Sequence, residues 1–431
     1  MVSCFIGPER AASSSLTFEG ILMSRCIACA LFAFLLTAPV GAQELNYSTA
    51  LQYASEDGQF KLKLGGRMHN NWTWYSADDE FATASGNLDT EETAEPSDGT
   101  IFRRARLYLA GTIYGNIDFK AQYDFAGGDA DFKDLYMEVR DVPAVGSVRV
   151  GQFYEPFGLE AQTSSNYITF IERSSGTGPI APERSTGFMT HGVNGEENMT
   201  WWIGAFRDSA SDGDAVGDNK MTFTGRATWL PWATDDGDLV HLGVAASLRS
   251  PEGDTVNYQA DPEVRPSVDF LETDDQAVDE VTYFGLEAAT VQGPLSLQAE
   301  YMTAMNEGSE GAEDFDISHY YIFASYFLTG EKRAYSNKKA IFSRVKPNTN
   351  YGSADGNGAW EVGLRYSGTD FDDGAINGGT MTQTTLGLNW YLNPNVRIMT
   401  NVVLMDVEDI AGDVGVDGSA EAFTMRFQID F

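Results

Sequence analysis

The sequence predicts an all-β fold: a transmembrane antiparallel β-barrel of about 16 strands, with short turns at one rim, long loops at the other and one loop folded into the pore. Three observations predict it. The first is the C-terminal segment, where Phe423, Met425, Phe427, Ile429 and Phe431 alternate with Thr424, Arg426, Gln428 and Asp430. Successive side chains of a strand point to opposite faces, so this strand has one apolar face and one polar face, and it stops on an aromatic residue. In hydrocarbon every backbone N–H and C=O needs a partner, so such a strand requires a sheet closed on itself. The second is a regular alternation of short and long connections between strand-like segments. The third is negative. No run after the N-terminal region approaches the roughly 20 apolar residues of a membrane helix, and mean hydropathy is -0.26.

The elements follow in order. Arg25, an apolar run from Ile27 to Leu36, and Val40-Gly41-Ala42 have the pattern of a secretory signal, with cleavage expected after Ala42. Residues 1–22 lack targeting character, so Met23 is an alternative start. Cys4, Cys26 and Cys29 all fall in this segment, so neither a disulfide nor a thiolate metal site is expected in the mature chain. Residues 43–59 make a short N-terminal segment, and 60–431 the barrel. Strands are predicted at 60–75, 101–114, 117–126, 132–142, 146–154, 186–194, 198–207 and 220–230. They continue at 238–249, 280–291, 294–305, 317–328, 358–369, 380–392, 395–407 and 421–431. Most are near the about 9–11 residues that cross a bilayer at a tilt.

Short connections carry turn residues: Gly115-Asn116, Pro143-Ala144-Val145, Gly195-Glu196-Glu197, Gln292-Gly293 and Asn393-Pro394. Long loops fall at 76–100, 155–185, 208–219, 250–279, 306–316, 370–379 and 408–420. One connection, 329–357, is long where the alternation demands a short one, and it contains a further strand-like stretch near Ala340–Val345.

Charge follows this division. The formal net charge is -35, which excludes a nucleic-acid binder, since that needs a basic surface. Loop 76–100 holds Asp78, Asp79, Glu80, Asp89, Glu91, Glu92, Glu95 and Asp98 with no base, and loop 250–279 has Arg265 as its sole base. The off-pattern connection is instead basic, with Lys332, Arg333, Lys338, Lys339, Arg344 and Lys346. Acidic outer loops could bridge lipopolysaccharide through Ca²⁺ or Mg²⁺, which prefer carboxylate oxygens; a plain solvated face is the alternative. No other cofactor is expected.

If apolar residues face lipid, the opposite parity faces the lumen. Leu62, Leu64, Met68, Trp72 and Trp74 then point out, and Lys61, Lys63, Arg67 and His69 point in. The same rule turns Arg104, Arg106, Lys120, Arg140, Arg149, Arg226, Arg249, Arg365, Arg397 and Arg426 inward, and leaves Arg103 on the other parity near the outer rim. Inward acids are Asp118, Asp124, Asp134, Glu138, Glu287, Glu300, Glu361 and Asp430. A water-filled tube with excess fixed positive charge concentrates anions and repels cations. Arginine suits phosphate because its planar fork donates two parallel hydrogen bonds and stays protonated. The alternative is that these arginines pair with the inward acids and brace the wall. Loop 155–185 carries Phe157, Leu159, Tyr167, Ile168, Phe170 and Ile171, too much apolar surface for an aqueous rim. Folded back into the barrel, it would be buried and would narrow the pore; contact with a neighbouring subunit is the alternative.

The run Arg149-Val150-Gly151-Gln152-Phe153-Tyr154-Glu155-Pro156-Phe157-Gly158-Leu159-Glu160 and the stretch from Ser164 to Arg173 resemble the phosphate-selective porin O/P family. So do Phe102-Arg103-Arg104-Ala105-Arg106, the stretch from Leu328 to Tyr335, Gly358-Ala359-Trp360-Glu361 with Arg365-Tyr366, and the turn from Asn389 to Asn395. The resemblance covers nearly the whole mature chain. It implies a trimeric outer-membrane porin with the third long loop in the pore, an arginine ladder that Arg103, Arg104 and Arg106 look like part of, and lysines at the constriction. Candidate anion-binding residues are therefore Lys61, Lys63, Arg67, Arg103, Arg104, Arg106, Lys120, Arg149, Arg226, Arg249, Arg365, Arg397 and Arg426. The constriction loop contributes Glu155, Pro156, Phe157, Gly158, Asn166, Tyr167, Glu172 and Arg173. One departure matters: loop 155–185 has no lysine, and its charged residues Glu155, Glu160, Glu172, Arg173, Glu183 and Arg184 leave it net negative.

His69, His191, His241 and His319 show no metal-ligand spacing. No Ser/His or Asp/His constellation suggests an enzyme, and none is expected. The expectation is a passive, water-filled outer-membrane channel for small anions, with phosphate or polyphosphate as the candidate solute. The alternative is a general or weakly cation-preferring diffusion porin. Expected partners are outer-membrane lipid, lipopolysaccharide and small anionic solutes, with assembly as a homotrimer.

Overall fold

The computed structural model describes residues 46–47, 50–77, 98–207, 209, 213, 221–267, 269–309, 311–354, 356–374, 376–410 and 417–431. The predicted signal and its cleavage site, most of the first acidic loop, and much of 208–219 and 408–420 lie outside them.

Sixteen long strands are present among the described residues. The first eight are β1 Lys61–Ala77, β2 Gly99–Ile113, β3 Ile117–Asp124, β4 Asp131–Val142, β5 Gly146–Tyr154, β6 Arg184–Val193, β7 Met199–Arg207 and β8 Thr222–Ala233. The second eight are β9 Leu239–Arg249, β10 Gln276–Gln292, β11 Leu295–Gly308, β12 Phe315–Phe327, β13 Ala359–Asp373, β14 Ile376–Asn393, β15 Val396–Glu408 and β16 Gly418–Asp430. Each pairs antiparallel with its chain neighbour, and β16 pairs antiparallel with β1, with Phe423 opposite Trp74 and Ile429 opposite Met68. That last pairing closes the barrel and leaves no open edge in the bilayer.

Closure depends on Gly65. A Cβ there would lie 2.4 Å from the Phe431 carbonyl oxygen and 2.5 Å from the Tyr108 hydroxyl. Next to it, Gly66 and Phe431 exchange backbone hydrogen bonds of 2.8 and 3.0 Å. Below this point Leu51–Ala54 takes over the edge of β1, with Leu51 opposite Leu64. Outside the seam Trp74 stacks on Phe423 at 5.6 Å.

Burial is inverted relative to a water-soluble protein. Along β16 the exposed residues include Phe423, Phe427 and Ile429, while Thr424, Arg426, Gln428 and Asp430 are buried. The same parity holds along β14, where Leu386 and Leu388 are exposed while Gln383, Thr385 and Asn389 are buried. Lipid supplies the apolar contact on the outer face, and polar partners fill the inner one. The wall is also uneven: β3, β5 and β7 have 8, 9 and 9 residues, whereas β10 and β14 have 17 and 18.

The parity rule fails at Arg103. In the β1–β2 ladder His69 pairs with Arg104 and Asn70 with Phe102, so Arg103 is an extra, unpaired residue. Such a bulge re-aims a side chain. Arg103 therefore turns inward beside Arg104 and meets Glu172 at 3.3 Å, instead of lying on the outward parity.

Candidate functional site

Among the described residues, three connections fold into the lumen. Loop 155–185 carries the short helices Leu159–Gln162 and Thr177–Ile180. Its apolar side chains are buried, among them Phe157, Leu159, Ile168, Phe170 and Ile171. The ring of Phe170 occupies a hole left by Gly363 and Gly387, which face each other across β13 and β14; a Cβ on either would stand 3.1–3.2 Å from that ring. Polar wall groups clasp the backbone. Glu300 accepts hydrogen bonds from the amides of Leu159 and Glu160, both at 2.7 Å. Asn389 donates to the Thr169 carbonyl at 2.7 Å, and Arg397 to the Ile168 carbonyl at 2.9 Å. Gln428 donates to the Asn166 carbonyl at 3.1 Å.

The second inserted segment belongs to the acidic loop 250–279. It holds a small hairpin, Gln259–Ala260 with Leu271–Glu272, and buries Glu263 at 1 % exposure. Glu263 accepts from Arg365 at 2.9 Å, Ser367 at 2.7 Å and Thr385 at 2.5 Å. This part of the loop is thus not a solvated outer rim. The third is the basic connection 329–357. The strand-like stretch near Ala340 is a two-residue strand, Ile341–Phe342, paired with Tyr335–Ser336. It is not a seventeenth wall strand. Its Ala340 carbonyl accepts from Arg226 at 3.0 Å, and Arg344 pairs with Asp430.

These insertions sort the inward cations into two groups. Arg226, Arg365, Arg397 and Arg426 point inward and are buried among loop and wall acceptors, and Arg249 joins them with its side chain 14 % exposed. Arg226 forms a bidentate pair with Glu287, both bonds at 2.7 Å. Arg249 pairs with Glu155, which leaves Glu155, Pro156, Phe157 and Gly158 at the wall. Arg365 bridges Glu263 and Glu160. Arg397 bonds Tyr391 and Gln428 at 3.0 and 3.1 Å. Arg426 pairs with Glu172 and accepts no open space of its own, being 0 % exposed. A buried charge must be paired and hydrogen-bonded to be tolerated, so these five brace the loops. Arg149 is engaged by Glu138 at 2.6 Å and Arg140 by Asp118 at 3.3 Å. Lys61 and Lys63 stand at the short-turn end, Lys63 5.7 Å from the Tyr108 ring.

The second group surrounds water-accessible space on the β1–β5 side. A cavity of about 280 Å³ is lined by Arg67, Arg104, Arg106, Lys120, Arg173, Arg184 and Lys339, with Tyr154, Tyr167, Gln122 and a single carboxylate, Asp134. Towards the long-loop rim a cavity of about 140 Å³ is lined by Arg103, Arg104, Glu172, Arg173, Glu183, Asp261 and Arg265. Arg104, Tyr154, Ala161 and Arg173 line both, so they form the neck between them.

Local contacts set the charge at this neck. Arg173 donates to the carbonyls of Glu160, Ala161 and Thr163 at 3.0–3.2 Å, and Arg67 to the hydroxyls of Ser164 and Ser165 at 3.2 and 2.9 Å. Neither has a carboxylate within ion-pair distance among the described residues. Carbonyls and hydroxyls fix the side chains without cancelling their charge. Nε of Arg67 and Nη1 of Arg104 are buried donors without a hydrogen-bond partner. Three of the four acids of loop 155–185 are spent elsewhere, Glu155 on Arg249, Glu160 on Ser174 and Arg365, Glu172 on three arginines, while Glu183 faces the outer cavity. Burial pushes the Glu172 carboxyl up, but Arg103, Arg426 and Arg104 outweigh it and hold it well below the usual carboxylate range. The loop is net negative in sequence while its exposed contribution at the neck is positive.

Of the residues selected from sequence, Arg67, Arg104, Arg106, Lys120, Tyr167 and Arg173 line one chamber. Asn166 lies just behind it, 3.0 Å from His69. Sequence reading missed Arg184, Lys339 and Tyr154. Lys339 comes from the short-turn rim, and the basic run in an overlong connection was the signal that could have found it. Burial, together with the nearby Arg149, lowers the Lys339 ammonium from its ordinary value. Among the described residues no group of three or more His, Asp or Glu side chains is placed to hold a metal ion.

Comparison with known proteins places the family and the fold. The family model for phosphate-selective porin O and P matches residues 77–431. The chain is 28 % identical to Porin O of Pseudomonas aeruginosa over 97 % of this chain and 99 % of that protein. In fold it resembles the anion-selective porin from Comamonas acidovorans, with a TM-score of 0.53 at 14 % identity, covering 86 % of this chain and 100 % of that one. It also resembles the outer membrane channel DcaP of Acinetobacter baumannii, with a TM-score of 0.52 at 12 % identity over 88 % and 99 % of the two chains. A closed barrel with a lipid-facing apolar surface and a cationic, water-accessible lumen is what an outer-membrane anion channel requires, and the chain belongs to the phosphate-selective porin O and P family.

Proposed function

We propose that this porin passes phosphate-type oxyanions through the chamber between Arg104, Arg173 and Lys339, with chloride and similar small anions as weaker permeants. The observation that carries the reading is the lining of that chamber: Arg67, Arg104, Arg106, Lys120, Arg173, Arg184 and Lys339 face two carboxylates, Asp134, which pairs with Lys120 and Arg184, and Asp124, which pairs with Arg106 at 2.6 Å just behind the lining. Guanidinium forks match phosphate oxygens in pairs, and the unpartnered Nε of Arg67 and Nη1 of Arg104 offer donors that cost nothing to free. At Arg67 and Arg173, which no carboxylate holds among the described residues, phosphate would replace water without displacing an acid. Passage is passive, and no step of chemistry is assigned to the protein.

A second reading, a general or weakly cation-preferring channel, is favoured by the carboxylates Glu183 and Asp261 nearer the long-loop rim. Single-channel recording separates the two. On the phosphate reading, millimolar phosphate blocks chloride current, and Arg173→Gln weakens the block. On the second reading phosphate has no effect beyond its own conductance. We further propose a homotrimer joined through the low wall at β3–β7, whose outward Met137, Val150, Phe188 and Ile203 are exposed. Cross-linking in detergent tests it. Divalent bridging of the acidic outer loops to lipopolysaccharide is likewise a proposal, tested by loss of bound lipopolysaccharide on chelation.

A further inference from the structure

Above the cationic chamber the path has a second neck of a different kind. An outer vestibule of about 460 Å³ adjoins the 140 Å³ cavity, and Gly178, Glu183, Asp261 and Arg265 line both. The segment bearing Asp261 is pinned to the wall on both sides. The Glu263 amide donates to Gln383 at 2.9 Å, the Arg265 carbonyl accepts from Thr73 at 2.9 Å, and the Pro266 carbonyl accepts from Tyr75 at 2.9 Å. Asp261 is ion-paired with Arg265, and their side chains keep 21 % and 34 % exposure. The pair is thus held at the neck and stays in contact with the path.

We infer that Asp261 is a proton-operated charge gate, which sets how readily anions pass from the outer vestibule to the arginine-lined chamber. With Asp261 ionised, Arg265 is neutralised, and Glu183 leaves the neck net negative, with Asp269 adding to it from the vestibule side. With Asp261 protonated, the Arg265 charge is released and the neck becomes more favourable to anions by one unit. The groups facing Asp261 are Arg265 and Asp269 on its own segment, Arg103 on β2, Glu172 on the inserted loop and Tyr75 on β1. Burial raises its carboxyl, Arg265 opposes, Asp269 adds, and the balance lies at about 6. A carboxyl raised in this way is neutral below that pH and charged above it, so anion passage increases on acidification.

The inference rests on the anion-channel reading, and the test separates the two. Chloride conductance and reversal potential are recorded from channels inserted in one orientation, with the outer compartment taken from about pH 7.5 to about pH 5. The expected result is a conductance gain of roughly two- to fivefold, the scale of one charge a few ångströms away in water-like dielectric. The midpoint is expected near 6. Asp261→Asn is expected to give the acid-like conductance at both pH values. An identical pH response in Asp261→Asn, or a wild-type response only to acidification of the periplasmic side, overturns the gate. A cation-selective reversal potential at every pH overturns the anion-channel reading instead. The wild-type sidedness measurement stands even if the variant does not fold.

Discussion

Arg173 and Arg365 face the same lumen, but their surroundings assign them opposite tasks. Arg365 is 0 % exposed, with its charge cancelled by Glu263 and Glu160. Arg173 is held by three carbonyls and keeps its charge for the water beside it. Their substitutions should therefore fail differently. Arg173→Gln removes one charge-assisted contact, worth about 1.5–3 kcal/mol. Phosphate block of chloride current should weaken by roughly 10–150-fold, with a smaller loss of thermal stability than at Arg365, because the three loop carbonyls it leaves lie beside water. Arg365→Met strands the buried Glu263 carboxylate, a loss of about 3–5 kcal/mol. It should lower the temperature at which the folded, heat-modifiable form converts on a gel and should raise conductance as the loop loosens. Equal effects of the two substitutions on phosphate block would show that the division into brace and lining is wrong. Parity made all of these arginines recognisable as inward-facing. It could not separate them, because the carboxylates that cancel Arg365 come from residues 160 and 263, far away in the chain.

At the scale of elements, alternation and turn residues made the wall legible. The predicted strand 146–154 coincides with β5, and 117–126 differs from β3 by two residues. Two elements were not legible for a physical reason. The bulge at Arg103 breaks a period-two rule that has no means of seeing it. The segments around Glu263 and Ala340 fold inward because distant wall residues satisfy their backbones, and polar loops destined for a polar lumen look like polar loops destined for solvent. The seam offers a direct test of closure. Gly65→Val would place a branched side chain against the Phe431 carbonyl and Tyr108. It should leave synthesis and export intact and sharply reduce the heat-modifiable folded fraction. A normal folded fraction would mean that the last residue does not seal the barrel as described.

At the scale of the molecule, the contrast is between a net charge of -35 and a cationic chamber. The two coexist because charge acts locally across a screening length of about 8–10 Å, and the acids are placed on loops or paired against wall arginines. On the proposed function, selectivity is decided by the cations of the chamber that no carboxylate cancels, Arg67 and Arg173 among them, not by the sum over the chain. The decisive measurement is the reversal potential of the purified protein in planar bilayers under a KCl gradient, with phosphate then titrated in. The expected result is a chloride-selective potential and a chloride current that low phosphate blocks. A potential near zero or cation-selective, with no block, would contradict it and leave a general diffusion porin.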